Sequence, residues 1–253
     1  MGKRFENKIV VVTGAAGGLG LTSAKAFARE GAELVLLDVN AAGLADAKAV
    51  VDDYGQCTTH AIDLSSGAQI EQLGALLSQQ HERIDVLFNN AGIAYGEINQ
   101  MIDSVDLDRL QMYFTINSFA PLMLAKALRA PLAEAKGVVI NQSSMAANMP
   151  STIYGATKAL LNQFTYAMAS IFGADGIRVN AIAPGLMETP ASSAALPEET
   201  VQRLRGMQML KTLKGEAEDI ANLAVFLASD DARFITSEVI CCDAGCTLRG
   251  WRN

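Results

Sequence analysis

The sequence predicts an α/β protein: a doubly wound, mainly parallel seven-stranded sheet with helices on both faces, folded as a single domain over residues 1–253. Three observations carry that expectation. Short runs rich in Val, Ile and Leu alternate with longer stretches of helical apolar spacing, the pattern of repeated strand–helix–strand units. Gly, Asn, Asp and Pro gather where those runs end, which is where ligands bind in such sheets. Half of the 253 residues are apolar, enough to cover both faces of one large sheet.

The strand-like runs fall at 9–13, 33–38, 58–62, 84–88, 137–141, 177–183 and 235–242. The first, Ile9-Val10-Val11-Val12-Thr13, is a β-branched run suited to a buried strand. Directly behind it stands Thr13-Gly14-Ala15-Ala16-Gly17-Gly18-Leu19-Gly20, followed by Leu21, Ala24, Phe27 and Ala28 at helical spacing. Gly31 closes that helix. Strand, glycine turn and helix in this order form the opening unit of a Rossmann-type dinucleotide site. The glycines let the backbone approach a pyrophosphate, and the free N–H groups at the helix start bind it. The second strand ends in Asp38, a carboxylate placed to accept from the two ribose hydroxyls of NAD and to repel the extra phosphate of NADP. No Arg or Lys occupies Ala15, Ala16, Gly17 or Val39, where a cation could hold that phosphate. Helical patterns over 107–130 and 153–172 separate later strands.

The second of those helical patterns carries Tyr154 and Lys158, four residues apart and so on one face. A tyrosine ordinarily loses its proton near pH ~10. A nearby ammonium favours the phenolate, so the pair predicts a phenol that exchanges protons near neutral pH, as acid–base chemistry on a hydroxyl or carbonyl requires.

With these motifs in place the chain resembles the short-chain dehydrogenase/reductase family, from about residue 8 to residue 245. The Thr-Gly-x-x-x-Gly-x-Gly spacing of Gly14, Gly18 and Gly20 is similar to that family's glycine motif, with Leu19 inside it. The resemblance implies that Asp63 and Leu64 contact the adenine ring, and that Asn90, Ala91 and Gly92 form the cofactor floor. It implies that Pro184, Gly185, Leu186 and Thr189 receive the nicotinamide, and that Tyr154 and Lys158 also touch the cofactor. Asn117, Ser144, Tyr154 and Lys158 fall on the family's catalytic positions, Asn117 holding a water that relays protons from Lys158. Ser144 would donate to the substrate oxygen where charge develops. The segment between Ser144 and Tyr154 is shorter than in most members, so Ser143 and Ser151 compete for the hydroxyl's role. Alignment from the strand side favours Ser144.

Several classes are excluded. The net charge is −7 with no basic run, which argues against nucleic acid and anionic membrane as partners. No apolar run approaches the ~20 residues of a membrane helix, and residues 1–6 lack the apolar stretch of a signal peptide, so a cytoplasmic protein is expected. Cys241 and Cys242 are neighbours in a strand and point to opposite faces, so they cannot share one metal ion. With Cys246 they read as small buried thiols, and His60 and His81 alone provide no histidine-rich metal site.

The excursion from 186 to 214 reads as a lid, with Met187 and Met207 on its apolar side and a helix starting at Pro197-Glu198-Glu199. Tyr95, Ile98, Met145, Met149 and Ile153 are expected to face the same space, giving an uncharged pocket. The expected reaction is NAD(H)-dependent interconversion of a secondary alcohol and a ketone on an uncharged, fairly apolar small molecule, alicyclic, aromatic or steroid-like. A 3-oxoacyl-thioester reductase of fatty-acid type and a non-catalytic NAD sensor or scaffold are the alternatives. The helices at 107–130 and 153–172 carry apolar residues on more than one face, which predicts a homotetramer, or failing that a dimer. Trp251, near the end of the chain, is expected to dock on a neighbouring subunit.

Overall fold

The computed structural model describes residues 3–149 and 152–247. Its sheet contains β1 (Ile9–Thr13), β2 (Glu33–Asp38), β3 (Cys57–Ala61), β4 (Val86–Asn89), β5 (Val138–Gln142), β6 (Arg178–Pro184) and β7 (Val239–Cys242). They lie in the order β3-β2-β1-β4-β5-β6-β7, and every pairing is parallel. Val10 stands opposite Leu34 of β2 on one side and Val86 of β4 on the other. The strand order reverses between β1 and β4, which opens a crevice beyond their carboxyl ends.

Alternation along the strands divides the core in two. Val10, Val12, Leu34 and Leu36 face one side, against α1 (Gly18–Arg29), α2 (Ala41–Val51) and α10 (Ala217–Ala228). Val11, Val35 and Leu37 face the other, against α3 (Gly67–Gln80), α5 (Ala120–Ala127), α6 (Arg129–Ala135) and α7 (Ile153–Phe172). This is the two-sided burial that near-continuous apolar strands demand.

The expected helix over 107–130 is interrupted. It runs as α4 (Leu107–Phe114), a π turn at Thr115–Phe119, and α5; Leu128 then breaks the path before α6. The extra residue of a π turn swings side chains off the regular stripe, and here it turns Asn117 and Ser118 fully inward. The last strand is shorter than the 235–242 run. Ser237 adopts φ 63, a left-handed conformation that ends extended pairing. Side chains of β6 hold the lead-in instead: Arg178 and Asn180 donate to the Ile235 carbonyl, and Asn180 accepts from Glu238 N–H. The 186–214 excursion contains α8 (Pro190–Ala195) and α9 (Glu198–Met207), the latter beginning directly after Pro197 as expected.

Candidate active site

The carboxyl ends of β1, β4, β5 and β6 converge on one region, and each predicted residue can be followed there. At the end of β1, Gly14 has φ 65, and a Cβ on Gly20 would lie 2.1 Å from the Gly14 carbonyl oxygen. Only glycine permits that crossing of turn and helix. A Cβ on Gly17 or Gly18, by contrast, would meet nothing within 4 Å. α1 starts with no side-chain cap and no acid in its first turn. Uncapped first-turn N–H groups beside open space fit the phosphates of a dinucleotide.

Asp38, at the end of β2, accepts from Ala16 N–H and Asn40 N–H, each at 3.0 Å, one on each carboxylate oxygen. The carboxylate is thereby fixed beside the glycine turn with lone pairs left for further donors. After β3, Asp63 accepts from the backbone and hydroxyl of Ser65, which holds its carboxyl below the ordinary range. Leu64 packs against the second core. After β4, Asn90 donates to the carbonyls of Thr13 and Gly14, and Ala91 N–H reaches the Thr13 hydroxyl. Gly92 has no side chain to obstruct its neighbours: a Cβ there would lie 3.0 Å from Asn117 Oδ1 and 3.5 Å from Lys158 Nζ.

Asn117 is fully buried; its Oδ1 accepts from Ile93 N–H, and its Nδ2 donates to Ile93 O and the Thr157 hydroxyl. Its amide braces the turn after β4 against α7. Lys158, 3% exposed, donates from Nζ to the Gln142 carbonyl at 2.7 Å and sits 5.8 Å from the centre of the Tyr154 ring. Burial pushes its ammonium down to about 8. Burial likewise pushes the Tyr154 phenol up to about 12, while a hydrogen bond with Ser144 pulls the other way. The lowered phenol expected from the sequence is therefore corrected: removal from water outweighs the hydrogen bond with Ser144.

Two of the competing serines differ in their hydrogen bonds. Ser143 turns into the protein and donates to Asn162 Oδ1 at 2.5 Å. Ser144 accepts from Ala146 N–H and reaches Tyr154. Ser151 lies outside the described residues.

These groups open on a cavity of about 560 Å³. Ser144, Tyr154, Tyr95, Met145, Met149 and Met187 line it, and Leu19, Pro184, Gly185 and Leu186 connect it to the dinucleotide crevice. Gln142 is on the same wall, its side-chain Oε1 buried with no hydrogen-bond partner among the described residues. Thr189 caps α8 by accepting from Ser192 N–H at 3.1 Å. Three expectations fail here. Met207 lies one turn beyond the stretch of α9 that lines the cavity, where Thr200, Arg203 and Leu204 stand. Ile98 and Ile153 are fully buried in a small core of their own with Tyr113. And the wall is not free of charge, because Arg203 is on it. Counting helical turns from Pro197 places Arg203 on the face shared with Thr200, a signal present in the sequence.

Comparison with known proteins supports the same architecture. A family model described as enoyl-(acyl carrier protein) reductase matches residues 14–247. Dehydrogenase/reductase SDR family member 6 of Rattus norvegicus is 34% identical over 97% of this chain and 99% of that protein. Among solved structures, 7α-hydroxysteroid dehydrogenase complexed with NADH and 7-oxo glycochenodeoxycholic acid superposes with a TM-score of 0.88 at 28% identity, covering 96% of this chain and 95% of that one. L-sorbose reductase of Gluconobacter frateurii, complexed with NADPH and L-sorbose, gives 0.88 at 26% identity over 99% and 100%. The chain belongs to the short-chain dehydrogenase/reductase family, and it is an oxidoreductase built for a nicotinamide cofactor and a small-molecule substrate.

Proposed function

We propose that the protein is an NAD(H)-dependent dehydrogenase that interconverts a secondary alcohol and a ketone on a substrate with a largely apolar body. The observation that carries this reading is that Ser144 and Tyr154 line one cavity and are hydrogen-bonded to each other, with the buried Lys158 ammonium behind them, 5.8 Å from the Tyr154 ring. When bound, the nicotinamide supplies hydride exchange at the substrate carbon. Gly14, Gly18, Leu19 and Gly20 would hold the pyrophosphate, Asp38 the adenosine ribose, and Asp63 and Leu64 the adenine side. Asn90, Ala91, Gly92, Pro184, Gly185, Leu186 and Thr189 would line the remaining cofactor path, with Lys158 and Tyr154 at its inner end.

A phenol held up near 12 is protonated at neutral pH, so Tyr154 is set to deliver its proton to a carbonyl oxygen. Ser144 donates to that same oxygen as negative charge grows on it. Once the Tyr154 proton has gone, the Lys158 ammonium, charged below about 8, stabilises the phenolate left on Tyr154. In the oxidising direction it is this phenolate, its proton already lost, that takes the hydroxyl proton and returns to the phenol. Asn117 fixes the turn after β4 and so the space in which Lys158 exchanges its proton. The 186–214 excursion, with α8 and α9, acts as the lid. NAD is the preferred cofactor because the Asp38 carboxylate is clamped beside the glycine turn and no cation stands at Ala15, Ala16, Gly17 or Val39. A fatty-acid thioester reductase using NADPH is disfavoured on the same ground.

No helix among the described residues is long and apolar enough to cross a membrane; we place the enzyme in the cytoplasm. We also propose a homotetramer. Leu128, Leu161, Met168 and Phe172 are absorbed into the subunit's own core, but Leu107 and Ile171 remain 65% and 57% exposed on α4 and α7. The proposed dehydrogenase activity is tested by NADH formation with a panel of secondary alcohols. Tyr154→Phe should abolish turnover and leave NADH binding, followed by fluorescence, within a few-fold of the parent. Comparable activity in the variant overturns the assignment.

A further inference from the structure

We infer that Arg203 selects substrates bearing a carboxylate, so that the alcohol or ketone this enzyme handles is a hydroxy or oxo acid with an apolar body. The inference rests on the proposed dehydrogenase reading and specifies its substrate class. Arg203 lies on α9, exposed, and lines the same cavity as Ser144 and Tyr154. It is the one charged side chain among the described residues lining that cavity, and no carboxylate lines it.

The neighbouring cations are already engaged. Arg205 and Lys214 both pair with Glu188, Lys214 at 3.2 Å. Arg203 makes no ion pair or side-chain hydrogen bond among the described residues. Glu199, one helical turn earlier, has the spacing for a bridge but forms none, and Glu198 accepts from Gln202 instead. An unpaired guanidinium on a mostly apolar wall presents a planar fork of donors that matches a carboxylate. A neutral substrate leaves that fork to water, whereas a carboxylate gains a charge-assisted pair. Met145, Met149 and Met187, which line the same cavity, are apolar surface for the carbon body of such a substrate.

The test compares hydroxy acids of straight-chain, alicyclic and steroid skeletons with their primary amides, which keep size and shape but lose the charge. With saturating NAD, kcat/KM for the acid should exceed that for its amide roughly tenfold, the lower end for a charge-assisted pair on a partly open wall. Arg203→Met, at an unpaired helix-surface position, should fold normally and move the acid-to-amide ratio close to one. Arg203→Lys should restore part of the preference, and raising salt should shrink it in the parent. A parent that turns over amides as well as or better than acids refutes the role of Arg203 while leaving the dehydrogenase reading intact. A ratio unmoved in Arg203→Met refutes it equally. If no acid or amide is oxidised although NADH binds, both the dehydrogenase reading and this inference fall together.

Discussion

Replacing Lys158 by Met should stabilise the cofactor-free protein while abolishing its activity. The ammonium is 3% exposed, and burial pushes it from its ordinary 10.5 down to about 8. Between those values the unfolded chain binds a proton that the folded chain does not, so the parent gains stability as pH rises through that window. Below about 8 the full penalty is present, and the gap corresponds to about 3 kcal/mol. Methionine is nearly isosteric and needs no solvation. It leaves the Gln142 carbonyl without its 2.7 Å donor, a loss of about 1 kcal/mol. The variant should therefore be about 2 kcal/mol more stable than the parent at pH 7. At pH ~9.5 the remaining penalty is near 1 kcal/mol, so the advantage should vanish. Tyr154, raised from 10.0 to about 12, keeps its proton across this range and contributes alike to both proteins. Urea unfolding at pH 7 and at the higher pH, at one protein concentration, measures the difference. A variant less stable than the parent at pH 7, or a difference that does not change with pH, would refute the claim that Lys158 is held at the expense of stability.

Three further outcomes separate the roles assigned above. Ser144→Ala should lower kcat on the order of 10²-fold, as for loss of one oxyanion donor. Ser143→Ala should instead lose about 1 kcal/mol of stability through its bond to Asn162, with kcat within a few-fold; the reverse pattern would exchange the two serines. Asp38→Ala should weaken NADH binding roughly tenfold and narrow the preference over NADPH, read by fluorescence titration with both cofactors. Equal use of the two by the unmodified protein would remove the role given to Asp38. Light scattering at micromolar concentration should give a tetramer, and a monomeric mass would show that the apolar faces bearing Leu107 and Ile171 stay uncovered.

The sequence by itself determined the frame and the spacing of the residues on which the proposed chemistry rests. Strand and helix patterns are local properties, so β1, β2 and α7 stand at their predicted bounds. The glycine turn was legible because tight backbone crossings admit only glycine, and the Tyr154–Lys158 pair because helical spacing alone puts both on one face. Other features depended on residues far apart in the chain. The interruption of the helix at Asn117 has no composition signal; it arises where that amide meets Ile93, twenty-four residues away. The strand alignment already favoured Ser144, but that Asn162 takes the Ser143 hydroxyl is a contact only the tertiary structure shows. The phenol of Tyr154 was misjudged because a nearby cation can be read from spacing, whereas desolvation depends on everything packed around the site. The same holds for the cavity wall. Helical periodicity puts Met207 and Arg203 on one face, but only the packing of α9 over the carboxyl ends of the strands decides that Arg203 reaches the cavity and Met207 does not.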